Sequence, residues 1–319
     1  GWRRGEVPEG MSANFCSGEA VLDALGTGIV HTLNQGEAKD PFVRGLTMSS
    51  DVIGAGGNGA ILAGQYGGKD VVVKVALSYQ QEVSLRKENL IASHLLNVPP
   101  MYVYIALPIM YVHDIEPNLL VYPRYREDLY AYMKRNKSET KQTQLALDVG
   151  VSVVRALVNL HKERYVHMDI SPPNVLLRAS SDGAGDECHL TDLGAARNLD
   201  DARFNRATGG YLGAGLRYDS VMLQPIAPGE EYFSNEFFPD MDFESLGYML
   251  YEIVHGLGSL PWGRLQPSDP KTIRLKTTFD FGVLNSYFEL IWKARKSGKT
   301  RALGSLLMME LKKNLRVPP

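Results

Sequence analysis

Cysteine is nearly missing from this sequence: Cys16 and Cys188 are the two among 319 residues. That excludes a disulfide-framed scaffold and a cysteine-rich metal site, and it fits a reducing compartment. Long apolar runs are missing as well. The longest, Tyr102 to Val112, falls short of the roughly 18 residues that span a bilayer, so no transmembrane segment is expected. Neither sign of charge is in excess, with 34 basic residues against 36 acidic ones. No global field therefore points to nucleic acid or to an anionic membrane. No internal repeat is visible, which sets aside solenoid folds. The sequence opens at Gly1 rather than Met and shows no signal-peptide pattern, so any targeting segment would lie outside it. The cytoplasm or nucleus is the expected compartment, with secretion left open.

What is present is an ordinary globular composition, 44% apolar and 22% charged, in a chain long enough for one large or two-lobed domain. One stretch concentrates chemistry: His167-Met168-Asp169-Ile170-Ser171-Pro172-Pro173-Asn174-Val175-Leu176-Leu177. Asp169 precedes the carboxamide of Asn174 by five positions, and the two prolines between them predict a stiff, non-helical loop. Val175 to Leu177 read as a buried strand. A second carboxylate follows in a similar setting, Leu190-Thr191-Asp192-Leu193-Gly194. Two acids and an amide on rigid loops suit a site for phosphate and a divalent cation, with one acid left to take a hydroxyl proton.

Upstream, Ile53-Gly54-Ala55-Gly56-Gly57-Asn58-Gly59-Ala60-Ile61 contains G-x-G-x-x-G. In a dinucleotide-binding fold those glycines open a helix. Here Ile61-Leu62, a turn at Gly67-Gly68 and the β-branched run Val71 to Val75 follow instead, which predicts a β-hairpin with a glycine loop. Such a loop brings backbone N–H groups close to a polyphosphate, and Lys74 within the run would point at the same phosphates. A helix is expected over about Gln80 to Leu96, with Glu88, Ile91, Ala92 and Leu95 on one face. A glutamate on an apolar face needs a cation, and Lys74 is the candidate. Strands are expected at Tyr102 to Leu107 and Asn118 to Pro123, and the chain leaves the small lobe near Glu127-Asp128. A helix from Thr143 to His161, burying Leu147, Val151, Val154 and Leu157, leads into the His167 stretch. Another, Asp242 to Leu257, buries Phe243, Leu246, Leu250, Ile253 and Leu257. Residues 1–45 read as an extension with at most one short helix.

This order of features resembles the eukaryotic protein kinase superfamily from about Ser50 onward. Asp242-Phe243-Glu244-Ser245-Leu246-Gly247-Tyr248, Leu260-Pro261-Trp262 and Arg217-Tyr218-x-Ser220 make it most like the casein kinase one and vaccinia-related kinase branch. The resemblance implies an α+β bilobal fold. Residues 46–123 would be the small antiparallel β-sheet lobe with one helix, and 124–319 the larger, mainly helical lobe. It implies ATP and Mg as cofactors and a protein hydroxyl, more often Ser/Thr than Tyr, as acceptor. Ile53, Gly54, Gly56, Gly59, Ile61, Lys74, Glu88, Tyr122, Pro123, Tyr125 and Asp128 would serve the nucleotide, with Tyr122 as gatekeeper. Asp169 would take the proton, Asn174 and Asp192 would hold Mg, and Asp242 would brace the catalytic loop. A nucleotide-binding pseudokinase and a small-molecule kinase of the aminoglycoside or choline type are the alternatives. Arg197, Arg203, Arg206 and Arg217 suggest a basic patch for acidic or already phosphorylated substrates.

Four positions depart from the family pattern: Val72 before Lys74, Leu193 after Asp192, Ser171 in place of a phosphate-contacting lysine, and Met168 in place of the arginine beside the catalytic aspartate. Loss of one electrostatic contact of the Ser171 kind costs about 10²-fold in rate. Without the arginine, nothing at that position pairs with an activation-loop phosphate. Phosphatase treatment is therefore expected to leave kinase activity unchanged, and a loss of most activity would contradict this.

Overall fold

A computed structural model of the chain describes residues 45–56, 59–99, 101–112, 118–136, 139–179, 186–200, 218, 220, 239–263, 265 and 270–316. The chain divides into two compact units, one running to Pro99 with Ala106–Arg124 and the other comprising Pro100–Ile105 with Tyr125–Pro319.

Unit one is built on an antiparallel sheet of β1 (Leu46–Gly56), β2 (Gly59–Tyr66), β3 (Lys69–Val75), β4 (Met110–Val112) and β5 (Leu119–Pro123), in the order β1-β2-β3-β5-β4. Alternation along the strands separates two faces. Leu62, Val71, Val73, Val75, Leu119 and Val121 form the apolar cluster on one of them. Leu120 and Tyr122 pack with Ala76 and Leu85 in a second cluster on the other face, where helix α1 (Tyr79–Leu95) lies. Ser78 caps α1 by accepting the Gln81 N–H, and Gln81 Oε1 takes the Leu77 N–H in return. Glu88, Ile91, Ala92 and Leu95 are all buried, as their spacing predicts.

The expected strand at Tyr102 to Leu107 does not form. Met101–Val103 is a 3₁₀ turn whose Met101 carbonyl accepts the N–H groups of Tyr104 and Ile105. Tyr102 and Val103 are exposed, so an apolar run alone misled, and the paired strand is β4, in the stretch expected to be loop.

After the Pro100–Ile105 stretch, unit two continues with β6 (Glu127–Asp128) and α2 (Leu129–Arg135). Helix α3 (Glu139–Lys162) follows, then β7 (Tyr165–Val166), β8 (Val175–Ala179), β9 (Asp186–Leu190) and β10 (Arg197–Asn198). Helices α4 (Pro239–His255), α5 (Pro270–Thr278), α6 (Asn285–Ser297) and α7 (Leu303–Asn314) complete the described part. Within α3, Gln142–Lys162 is long and apolar enough to cross a membrane, but it packs against α4 and α7 as a core helix. Its fully buried positions include Ala146, Val149, Val153, Val154, Leu157 and Leu160. Leu147 and Val151, expected inside, are half-buried at the edge of that stripe. Helix α4 buries Phe243, Leu246, Leu250 and Ile253, but it ends at His255, so Leu257 lies beyond it and is half-buried. Trp262, Tyr248, Phe281 and Phe288 form an aromatic core beside it.

Gly59 is the tightest backbone position in unit one. Its φ is +114°, and a Cβ there would sit 2.3 Å from the Val75 carbonyl oxygen, a backbone atom that cannot swing away. Gly59→Ala is expected to destabilise the unit by roughly 1–3 kcal/mol, read as a lowered thermal midpoint.

Candidate active site

The residues expected to serve the nucleotide and the acceptor fall into two groups, one within each unit. In unit one, Gly54 and Gly56 end β1 and Gly59 begins β2, with Gly56 opposite Gly59 in the register. Gly57 and Asn58 lie outside the described residues. Ile53 is largely exposed, and Ile61 pairs with Lys74 across β2 and β3. Lys74 Nζ donates to Glu88 Oε2 at 2.7 Å, and both side chains are buried, so the lysine in the β-branched run and the glutamate on the apolar helix face explain each other. The Tyr122 hydroxyl donates to the other oxygen, Oε1. The sequence predicts a cation for Glu88 but not this second donor, because a tyrosine near the end of a strand carries no signal of its target. The Arg124 N–H bonds the Asp70 carbonyl at 3.3 Å, so in the Pro123 to Tyr125 stretch that donor already has an acceptor.

In unit two, Tyr125 stacks obliquely on His189, and Asp128 caps α2 by accepting the Ala131 N–H at 2.7 Å. Burial raises the Asp128 pKa, with the Ala131 and Tyr130 N–H groups opposing. The prolines do not exclude a helix as expected. Pro172–Asn174 forms one 3₁₀ turn, because proline in a first turn has no intrahelical N–H to lose. That turn folds Asn174 back, so its amide donates to the Asp169 carbonyl at 2.9 Å and to the Asp169 carboxylate at 2.8 Å. The Thr191 N–H donates to the Asn174 carbonyl at 2.9 Å, tying the second acidic loop to the first. Asp192 has φ of +64° and accepts the Gly194 N–H at 3.2 Å.

Beneath the loop sits Asp242, 1% exposed. Its two oxygens accept the N–H groups of His167 at 2.7 Å and Met168 at 2.8 Å, and His161 Nε2 lies 2.8 Å from Oδ2. Burial acts to raise the Asp242 pKa, but the His161 hydrogen bond and the backbone donors outweigh it and hold the carboxyl below its ordinary value. The Asp169 N–H points at His167 Nδ1, so Nε2 carries the proton and donates to the Thr191 carbonyl at 2.9 Å. Burial lowers the His167 pKa, which favours that neutral tautomer. Among the described residues, Arg164, Met168 and Asp192 are the non-glycines with positive φ, and all three lie in or beside these two loops.

Arg164, Glu252 and Arg295, which the sequence did not single out, hold described residues that follow Asp192. Arg164 grips Asp200 through both carboxylate oxygens, and β10 pairs with β7. Tyr218 donates to Glu252, and Ser220 donates to Glu244 at 2.5 Å. Arg295 pairs with Glu244 and Asp240 behind them. Arg197 does not belong to a surface patch. It is 2% exposed, donates to the Ala195 and Ala196 carbonyls, and burial pushes its pKa down to about 10. Arg203, Arg206 and Arg217 lie outside the described residues.

A sheet unit presenting a paired lysine and a mainly helical unit presenting a braced Asp–Asn–Asp set are the two parts of an α+β protein-kinase fold. The chain belongs to the protein tyrosine and serine/threonine kinase family, whose profile matches residues 47–273. It is 26% identical over 217 residues to the activin receptor type-1-like protein of Rattus norvegicus, covering 61% of this chain and 41% of that one. It is 32% identical over 141 residues to the serine/threonine-protein kinase US3 homolog of varicella-zoster virus (strain Dumas), covering 44% and 32%. Against human rhodopsin kinase GRK1 the figures are 34% over 114 residues, 35% and 17%. The chain thus spans less than half the length of these relatives.

Asp242→Asn would turn an N–H donor toward at least one of the N–H groups the carboxylate now accepts. The expected cost is roughly 3 kcal/mol, read as a fall in thermal midpoint together with faster hydrogen exchange at His167 and Met168.

Proposed function

We propose that the chain is an ATP-dependent protein kinase acting on serine or threonine. The observation that carries this is the Asp169–Asn174–Asp242 arrangement, in which a carboxylate is oriented by an amide and its loop is held rigidly from below. In this reading the glycine loop and Lys74 take the phosphates of ATP, and Asp169 accepts the proton of the acceptor hydroxyl as the γ-phosphoryl passes to its oxygen. Lys74 is pinned by Glu88, so its ammonium arrives oriented and adds fixed positive charge where the transferring group gathers negative charge.

A divalent cation fits the donors of unit two. The Asn174 NH₂ is directed at Asp169, which leaves the carboxamide oxygen for a cation, and Asp192 adds a carboxylate. Among the described residues no group of three or more His, Cys, Asp or Glu forms a metal cage. Two hard oxygen ligands, with phosphate and water completing the shell, suit Mg²⁺ rather than a tightly caged metal. When bound, that ion would neutralise phosphate charge.

Residues 46–319 are taken as the kinase domain and 1–45 as an extension. Within the family, the Asp242 to Tyr248 sequence, Leu260-Pro261-Trp262 and Arg217-Tyr218-x-Ser220 support the casein kinase one and vaccinia-related kinase branch. Tyr218 and Ser220 bonding to Glu252 and Glu244 adds a physical role for two of those residues. Any preference for acidic or primed substrates now rests on Arg203, Arg206 and Arg217 without Arg197.

The test is transfer of labelled γ-phosphate from Mg·ATP to the protein itself and to casein. Transfer is expected in the wild type and not in Asp169→Asn. Nucleotide binding with no transfer would make the chain a pseudokinase, and faster turnover on small alcohols than on any protein would make it a small-molecule kinase.

A further inference from the structure

Glu88 is buried to 1% exposure and has two oxygens to satisfy, each with its own donor: Lys74 Nζ on Oε2 and the Tyr122 hydroxyl on Oε1. The two donors stand on neighbouring strands. Val72 pairs with Tyr122 and Lys74 with Leu120, and residues two apart on a strand share a face, so the phenol and the ammonium both emerge on the side that α1 covers. They differ in stiffness. The Tyr122 ring is wedged among Ala76, Leu85 and Leu120, on a strand hydrogen-bonded along both edges. Lys74 reaches Glu88 on a flexible four-carbon stem. A carboxylate held by both therefore takes its position from the phenol, and the ammonium follows the carboxylate.

We propose that the Tyr122 hydroxyl is a positioning group that fixes Glu88 and, through it, both helix α1 and Lys74. Beyond filling space at the end of β5, it latches α1 in the arrangement that pairs Lys74, using only groups of unit one. In the kinase read above, on which the catalytic part of this inference rests, the latch would make phosphate positioning an intrinsic property of the chain rather than one conferred by a bound partner.

Tyr122→Phe removes one oxygen and keeps the ring, so the fold is expected to survive with a modestly lowered thermal midpoint. Two readouts on the full chain decide the matter. The first needs no activity: amide hydrogen exchange across Tyr79–Leu95 should quicken about tenfold in Tyr122→Phe, while β2 and β3 exchange as in the wild type. The second is transfer from Mg·ATP. The substitution should lower kcat by up to about 10²-fold with little change in the KM for ATP, because the phosphates are bound but misplaced. In a Glu88→Gln background the same substitution should add almost nothing, since both changes break one unit. Unaltered exchange of α1 in Tyr122→Phe would overturn the latch, whatever the activity, and so would fully additive losses in the double variant. If α1 loosens as expected while the wild type transfers no phosphate, the latch stands and the kinase assignment is what fails.

Discussion

The loop that carries Asp169 depends on one buried carboxylate. Asp242 is held in helix α4 and accepts the N–H groups of two successive residues, His167 and Met168, one on each oxygen. Met168 adopts φ of +67° in the turn that brings both N–H groups to that carboxylate. A β-turn or helix would satisfy those donors internally; here a buried charge does so. The strain of a left-handed methionine, of order 1 kcal/mol or more, persists because the carboxylate over-determines the loop. Asp169, next in the chain, inherits its direction from that constraint, and Asn174 completes it through the 3₁₀ turn.

Buried carboxylates do the same work elsewhere. Glu88 joins α1 to β3 and β5, Glu252 joins α4 to Tyr218 and Gly258, and Glu244 joins α4 to Ser220 and Arg295. Such groups contribute little net stability, because desolvating a charge cancels most of what its partners return. What they contribute is discrimination. An apolar contact tolerates sliding by an ångström, whereas a carboxylate with a donor on each oxygen has one position at which both bonds are made. Each of these acids fixes a segment whose placement matters more than its packing.

The parts legible in the sequence were those set by local chemistry. The G-x-G-x-x-G hairpin, the Lys74 strand, the α1 face with Glu88, and the Asp169, Asn174 and Asp192 loops all follow from periodicity, glycine and proline, and spacing. Errors arose where local pattern and tertiary demand diverge. Tyr102 to Leu107 has the apolar content of a strand, yet it has no edge to pair with beyond the bridge from Ile105 to Leu190, so its first residues close a 3₁₀ turn instead. Pro172 and Pro173 were read as helix breakers, though a single turn has room for prolines at its start. Arg197 looked like a surface charge because arginine usually is one. Its burial reflects partners invisible in sequence, the carbonyls of Ala195 and Ala196 to which it donates.

The methionine beside Asp169 now has a structural meaning. Met168 is 5% exposed and packs with Val166 and Met241, with Ala195 and Leu199 against them. An arginine there would bury a charge in an apolar cluster unless a phosphate or carboxylate came to meet it. The methionine removes that demand, and the described residues of the neighbouring segment are held by other contacts. The β7–β10 pairing and the Arg164–Asp200 grip act at its start, and Tyr218 and Ser220 bond to buried acids of α4 further on. These anchors join carbonyls, N–H groups, hydroxyls and charged side chains. At Met168 an apolar contact thus stands where an arginine would need an anion, and the described residues that follow Asp192 take their bonds from Arg164 and from the buried acids of α4.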